Sequence, residues 1–209
     1  MSDDPPAHLP GTPCPFLRCA ANPDNEAQTG VRPLVVGRTS VSQLYEHARE
    51  HSGSRLFGAV VAAVGLMGNG FGARDLLRNL TTLSFDSAGL TGGPLDKPRA
   101  DTKILQALGS GVFSREHFDR ILERWGRPFT PEGGGEPERG LALSDLHTMV
   151  QTHRREDDGN GLTTLGAYGE FIPLWWCFAK KDESGTRYLS EADLLAMFRD
   201  MRFPEKPGA

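Results

Sequence analysis

The chain has 209 residues, 38% of them hydrophobic and 24% charged, enough for one domain with a sizeable core. Its net charge of -4 lacks the basic excess that non-specific nucleic-acid binding needs, and it argues equally against docking on an anionic membrane. The acidic start, Met1-Ser-Asp-Asp-Pro-Pro, has no apolar signal segment. The longest apolar run, Leu56–Met67, is broken by Gly58 and Gly65 and is too short to span a bilayer. A cytoplasmic setting is therefore expected, with no membrane and no nucleic acid as partner. Three cysteines, Cys14, Cys19 and Cys177, do not suggest a disulfide framework.

In chain order, residues 1–39 read as an extended arm, proline-rich through 15 and irregular from 20, with a turn cluster at Asn22-Pro23-Asp24-Asn25. Ser40 or Ser42 caps a helix to about Ser52. Leu56–Met67 is apolar on nearly every face and reads as a buried central helix. Leu76, Leu77, Leu80 and Leu83 share helical spacing over 73–83; 84–100 is a loop and 101–108 a short helix. Ser114 opens a helix with Phe118, Ile121, Leu122 and Trp125 on one face. Residues 126–140, rich in glycine and proline, read as an exposed loop. Ser144 caps the next helix, on which Leu146, Met149, Val150 and His153 share a face. A long apolar helix from Thr163 or Thr164 passes through Trp175, Trp176 and Phe178, kinked at Pro173. The last helix, about 190–201, buries Leu194, Leu195 and Phe198. With alternating strands nearly absent and no internal repeat seen, the expected fold is all-α: a single-domain helical bundle over 1–209.

The most informative segment is His8-Leu-Pro-Gly-Thr-Pro-Cys-Pro-Phe-Leu17. Pro15 suits the first turn of a helix, which sets Cys14 at the positive end of a helix dipole, where a thiolate is favoured. Such a thiolate can ligate iron. Pro-Cys-Pro alone fits a buried cysteine beside a proline-rich arm as well.

Further matches come in order along the chain. Leu9-Pro-Gly11 precedes Pro13-Cys14-Pro15, Ala21-Asn22 comes after it, then Arg99-Ala100-Asp101, then Tyr168-Gly169-Glu170. In these the chain resembles the family of chloroperoxidase and the fungal unspecific peroxygenases. The resemblance implies a helical fold enclosing haem b, with Cys14 as the iron ligand and Pro15, Phe16 and Leu17 beside the haem. It implies hydrogen peroxide as oxidant, Glu170 as the distal acid–base group, and a small hydrophobic organic substrate. The family's acidic triplet supports a cation beside a haem propionate. Gly92-Gly93-Pro94 stands there, with Asp96 close by, which puts that magnesium-type site in doubt. Thr163 replaces an Arg that partners the distal Glu in some members, so the partner of Glu170 is unassigned.

The residues themselves agree on Glu170. Its helical neighbours Gly166, Ala167, Pro173, Leu174 and Cys177 are small or apolar, and burial there would raise its pKa into a range suited to proton transfer. His153 is a candidate supporting base and Arg155 a candidate propionate partner. Both also fit a helix C-terminus, where positive charge is favourable. Met67, within Gly65-Leu-Met-Gly68, lies where a flat cofactor can approach the backbone. A weaker candidate is a calcium loop with Gly185 sixth, Asp182 third, Ser184 fifth, Glu191 twelfth and Lys180 first, where a carboxylate is wanted; the same residues read better as a turn followed by a helix capped by Ser190, with Asp193 in its first turn.

The expected function is thus a haem-thiolate peroxidase or peroxygenase. One alternative is a haem protein of the same fold with specialised turnover or none. Another is a non-haem helical binding module with a degenerate calcium loop. Substrate identity and oligomeric state are left open.

Overall fold

The computed structural model describes residues 15–35, 39–68, 77, 80, 113–156, 168, 172 and 174–205. Helix α1 (Pro15–Ala21) starts on its proline, whose missing N–H costs nothing in a first turn. Helix α2 (Asp24–Thr29) occupies the expected turn cluster and ends at Gly30 in the left-handed region. So 15–29 is mostly helical rather than an extended arm. The cause is local: Asn22 Oδ1 accepts from the Asp24 N–H at 3.1 Å, and Asp24 and Glu26 favour the first turn.

Helix α3 (Val41–Ser52) is closed by a capping box of Ser40 and Gln43. Helix α4 (Arg55–Gly68) packs along it. A Cβ at Gly58 would lie 2.8 Å from the Tyr45 carbonyl oxygen, so glycine is what lets the helices approach this closely. Helix α4 is not buried on every face as expected. Phe57, Val61 and Ala62 are inside, while Leu56 is 68% exposed and Val60 43%. Leu77 and Leu80 are helical and exposed; the rest of the elements expected over 73–108 lies outside the described residues.

Helix α5 (Arg115–Trp125) starts after Ser114, whose hydroxyl accepts from the His117 N–H, and buries Phe118, Ile121 and Leu122 as the spacing predicts. Strands β1 (Arg127–Phe129) and β2 (Glu138–Ala142) lead into helix α6 (Leu143–Glu156). A helical run over 174–178 leads into β3 (Lys180–Lys181), β4 (Arg187–Ser190) and helix α7 (Glu191–Phe198). The four strands form one antiparallel sheet in the order β1-β2-β4-β3. The all-α expectation is therefore wrong: the fold mixes helices with a sheet. The strands are two to five residues long, too short for alternation to show. Strand β2 ends in three consecutive buried residues, and β1 lies wholly inside the stretch expected to be loop.

The sheet also shows a repeat. Arg139, Leu141, Asp145, Leu146 and Met149 recur at constant offset as Arg187, Leu189, Asp193, Leu194 and Met197. The two copies play the same roles. Leu141 and Leu189 face each other across β2 and β4. Asp145 accepts from the Ala142 N–H at 2.8 Å, and Asp193 from the Ser190 N–H at 3.1 Å. Arg127 on β1, paired with Gly140, meets Asp145 at 3.0 Å. Lys180 on β3, paired with Tyr188, meets Asp193 at 3.2 Å. Each half is thus a helix, a two-stranded loop and a second helix, and the halves join through their inner strands. Gly140 is required at this join, because a Cβ there would sit 2.5 Å from the Leu189 carbonyl oxygen.

The main core cluster gathers Phe16, Leu17 and Cys19 with Leu44, Phe57, Phe118, Leu146, Leu194 and Phe198. Two buried asparagines fasten α1 and α2 to the chain's other end. Asn22 and Asn25 both donate through Nδ2 to the Met201 carbonyl, each at 3.0 Å. Asn25 Nδ2 also donates to the Cys19 carbonyl at 2.6 Å, and its Oδ1 accepts from the Phe203 N–H at 3.4 Å. Met201 adopts φ 53, a left-handed conformation uncommon for a side chain of this size. Asn25→Ala removes three buried hydrogen bonds; the Met201 and Cys19 carbonyls keep Asn22 as a donor while the Phe203 N–H loses its acceptor, and unfolding free energy should fall by about 1–3 kcal/mol, read from urea denaturation.

Candidate functional site

Helix α1 is held on its inner side by an aromatic nest. Phe16 meets Phe203 at 5.5 Å, Phe57 at 5.8 Å and His47 at 6.4 Å between ring centroids. Leu17 is buried beside it, and the Cys19 thiol donates to the Met197 carbonyl. Phe16 and Leu17 are thus core residues, pinning the helix that Pro15 begins. Cys14 and Glu170 lie outside the described residues. His153 and Arg155 belong to α6 and Met67 to α4.

Near the segment that carries residue 170, Tyr168 is helical and half-buried. Its hydroxyl bonds His147 Nδ1 and accepts from Gln151 Nε2 at 3.4 Å, tying this segment to α6. Trp175 is half-buried with the Arg187 guanidinium 4.7 Å from its ring, whereas Trp176 is half exposed. Adjacent helical residues diverge by about 100°, so only one turns inward.

His47 is a residue that the sequence patterns did not single out. It sits on α3 with Leu44, Ala48 and His51, the four buried residues of that helix; their i, i+3, i+4, i+7 spacing was the available signal. The ring is 4% exposed and lies 4.4 Å from the His51 ring. Among the described residues neither ring nitrogen has a hydrogen-bond partner, against the rule that buried polar groups are paired. Burial holds its pKa down at about 4; the nearby Arg32 backbone offsets this in part without reaching hydrogen-bond geometry. The imidazole is therefore neutral near pH 7. It also lines a cleft between residues 30–35 and α3.

The second loop corrects the expected calcium register. Asp182 Oδ1 accepts from Ser184 N–H (2.9 Å), Ser184 Oγ (2.7 Å) and Thr186 N–H (2.7 Å), which puts Asp182 at the loop's first position, not its third. Ser184 is then third, Thr186 fifth, Ser190 ninth and Asp193 twelfth, the spacing of a calcium hand. Glu191 is not the twelfth residue. Asp193 is instead committed to Ser190, whose hydroxyl donates to it at 2.6 Å, and to the Lys180 ammonium. In the first half Asp145 is likewise committed to Arg127. Each hand carries a cation of its own on the carboxylate that a calcium ion would need. Among the described residues no cluster of three His, Cys, Asp or Glu side chains is placed to hold a metal.

No family model matches the chain, and neither a curated protein nor a solved structure matches it. Among the described residues no helix is long and apolar enough to cross a membrane.

These charges set two expectations. His47 titrates near 6.5 when unfolded and near 4 when folded. Between those values the unfolded chain binds the extra proton, so the stability contribution is complete above pH 6.5 and is lost as pH falls toward 4. The total is about 3 kcal/mol. In paired urea titrations at pH 7 and pH 4.5, wild type should lose more stability than His47→Leu. For the hands, the melting temperature should be unmoved by millimolar calcium; a rise of several degrees, the mark of tight binding, would show that calcium displaces Lys180.

Proposed function

We propose that the chain is a haem-thiolate peroxidase or peroxygenase that uses hydrogen peroxide to oxidise or oxygenate a small hydrophobic organic molecule. The observation that carries this reading is the start of α1 at Pro15, immediately after Cys14 in sequence. The first N–H groups of a helix have no partner within it and point back along the axis, the setting that keeps a thiol ionised. Pro15 has no N–H to give. Phe16 and Leu17 do, and the burial of their side chains holds those groups in place. This donor chemistry fits thiolate ligation of a haem.

When bound, haem supplies a redox-active iron at which peroxide is activated, and thiolate donation favours O–O cleavage. The chain's part is proton handling. Glu170 takes the proton from one peroxide oxygen and returns it to the leaving oxygen. Leu174, four residues on in the sequence, is fully buried; an apolar setting for Glu170 would raise its carboxyl pKa toward neutrality, where both transfers are efficient. His153 supports this transfer from α6, and Arg155 pairs with a haem propionate.

Haem-supplied protein, reduced under carbon monoxide, should show the strongly red-shifted Soret band of thiolate ligation, and Cys14→Ala should abolish it. Absence of that band from folded wild type sinks the proposal. Glu170→Ala should slow peroxide cleavage by about 10²–10⁴-fold while leaving the band in place. Haem that carries the band but is only bleached by peroxide would point to the haem protein without turnover.

A further inference from the structure

We propose that Tyr168, with His147 as its proton acceptor, is a one-electron oxidation site at the protein surface, through which the chain oxidises electron-rich phenols that do not enter the haem pocket. The inference rests on the haem reading for its oxidant. Tyr168 stands two residues before Glu170 in the sequence, and two residues of chain reach at most about 7 Å. That keeps the tyrosine close to where peroxide is activated.

A phenol that loses an electron becomes a strong acid, so it gives the electron up readily only where a base takes its proton. The Tyr168 hydroxyl accepts from Gln151 Nε2 at 3.4 Å and directs its own proton to His147 Nδ1. The two rings lie 21° from parallel, with centroids 5.8 Å apart. Imidazole is the side chain that takes and returns protons near neutral pH. His147 is exposed and Tyr168 half-buried, so part of the phenol faces solvent. Other aromatic residues suit the role less well. Tyr188 is fully buried and donates to Glu138, out of reach of a substrate. Oxidation of Trp175 makes a radical cation, which the Arg187 guanidinium 4.7 Å from its ring opposes, and among the described residues its buried Nε1 has no partner to take a proton. Trp176, half exposed, is the competitor.

In each event one electron leaves Tyr168 for the oxidising equivalent derived from peroxide. The phenolic O–H bond breaks and an N–H bond forms at His147 Nδ1, leaving a neutral phenoxyl radical beside an imidazolium. A substrate phenol then gives one electron to that radical and its own proton to water, while His147 returns the stored proton to the Tyr168 oxygen. One hydrogen peroxide, reduced to two waters, drives two such events and yields two substrate radicals. An electron-donating substituent on the substrate makes the transfer downhill. Around His147, α6 carries Ser144, Thr148 and Gln151, none of them charged, which suits a neutral phenol better than an ion.

The test uses the full-length chain, first without haem. Photogenerated tris(bipyridine)ruthenium(III), supplied below one equivalent, should leave a tyrosyl radical in frozen-solution electron paramagnetic resonance. Tyr168→Phe, which keeps the ring, should lose most of that signal. His147→Leu should slow its formation by about 10²-fold and remove the rate difference between H₂O and D₂O. A radical on tryptophan, a tyrosyl signal unchanged in Tyr168→Phe, or an unchanged rate in His147→Leu overturns the proposal. Wild type showing no rate difference between H₂O and D₂O overturns it without any variant. Haem-supplied protein that shows the thiolate Soret band under carbon monoxide is then mixed, in its unreduced form, with hydrogen peroxide and frozen. The same Tyr168 signal should appear. Its absence where the band is present overturns this proposal and leaves the haem reading standing. Absence of the band overturns both, because the oxidant goes with it.

Discussion

One carbonyl ties the two ends of this fold together. Met201 O receives the side-chain amides of both Asn22 and Asn25, and α1 and α2 both depend on this clasp. A seven-residue helix is far below the length that is stable in water on its own. Helix α1 exists because Phe16, Leu17 and Cys19 are buried against residues from the opposite end of the chain, and because the paired amides stop the 199–205 segment from peeling away. The left-handed Met201 belongs to the same device. Its unusual turn presents the carbonyl to both amides, and a conformation costing on the order of 1 kcal/mol or more is offset by buried hydrogen bonds that would otherwise be missing.

The paired hands are the frame on which that clasp closes. Helix α7 carries Met197, whose carbonyl takes the Cys19 thiol, and it leads directly into Met201. Its start is fixed by the Ser190–Asp193 capping box, which is fixed in turn by Lys180. Helix α6 starts under the equivalent control of Asp145 and Arg127. A calcium hand joins its two helices by sharing an ion. Here an ammonium and a guanidinium from the outer strands neutralise the two carboxylates, so the frame assembles with the chain's own charges. Phe129 stacked on Tyr188 at 4.3 Å, with the Tyr188 hydroxyl donating to Glu138 at 2.6 Å, fills the sheet's second small core.

Local rules decide what the sequence makes legible. The Ser40 and Ser114 caps, the buried face of α5 and the Leu146-Met149-Val150 stripe of α6 depend on neighbours within a few residues, and the structure places them as the spacing predicts. The sheet was not legible because its central pairing, β2 with β4, joins positions far apart in the chain, and strands this short carry no period. The repeat was readable in principle, but it is marked by five residues in two otherwise different segments. The calcium register failed for a chemical reason. Gly185 invited alignment to the invariant glycine of the loop's sixth position, whereas its φ of 79 serves a tighter turn at the fourth. The family resemblance rests on Cys14 and Glu170, outside the described residues, so the fold tests only what flanks them.

A sequence and its fold agree at most positions, and the places where they disagree are where function concentrates. Two such places stand out among the described residues. Met201 breaks the backbone rule, and the clasp accounts for it fully. His47 breaks the pairing rule: among the described residues neither ring nitrogen has a partner, and the nearby Arg32 backbone only partly offsets the burial. A buried imidazole without partners costs about 1–3 kcal/mol and makes stability fall at acid pH. Of the two violations, the strained turn is offset by buried hydrogen bonds, whereas the buried imidazole surfaces as a loss of stability at acid pH.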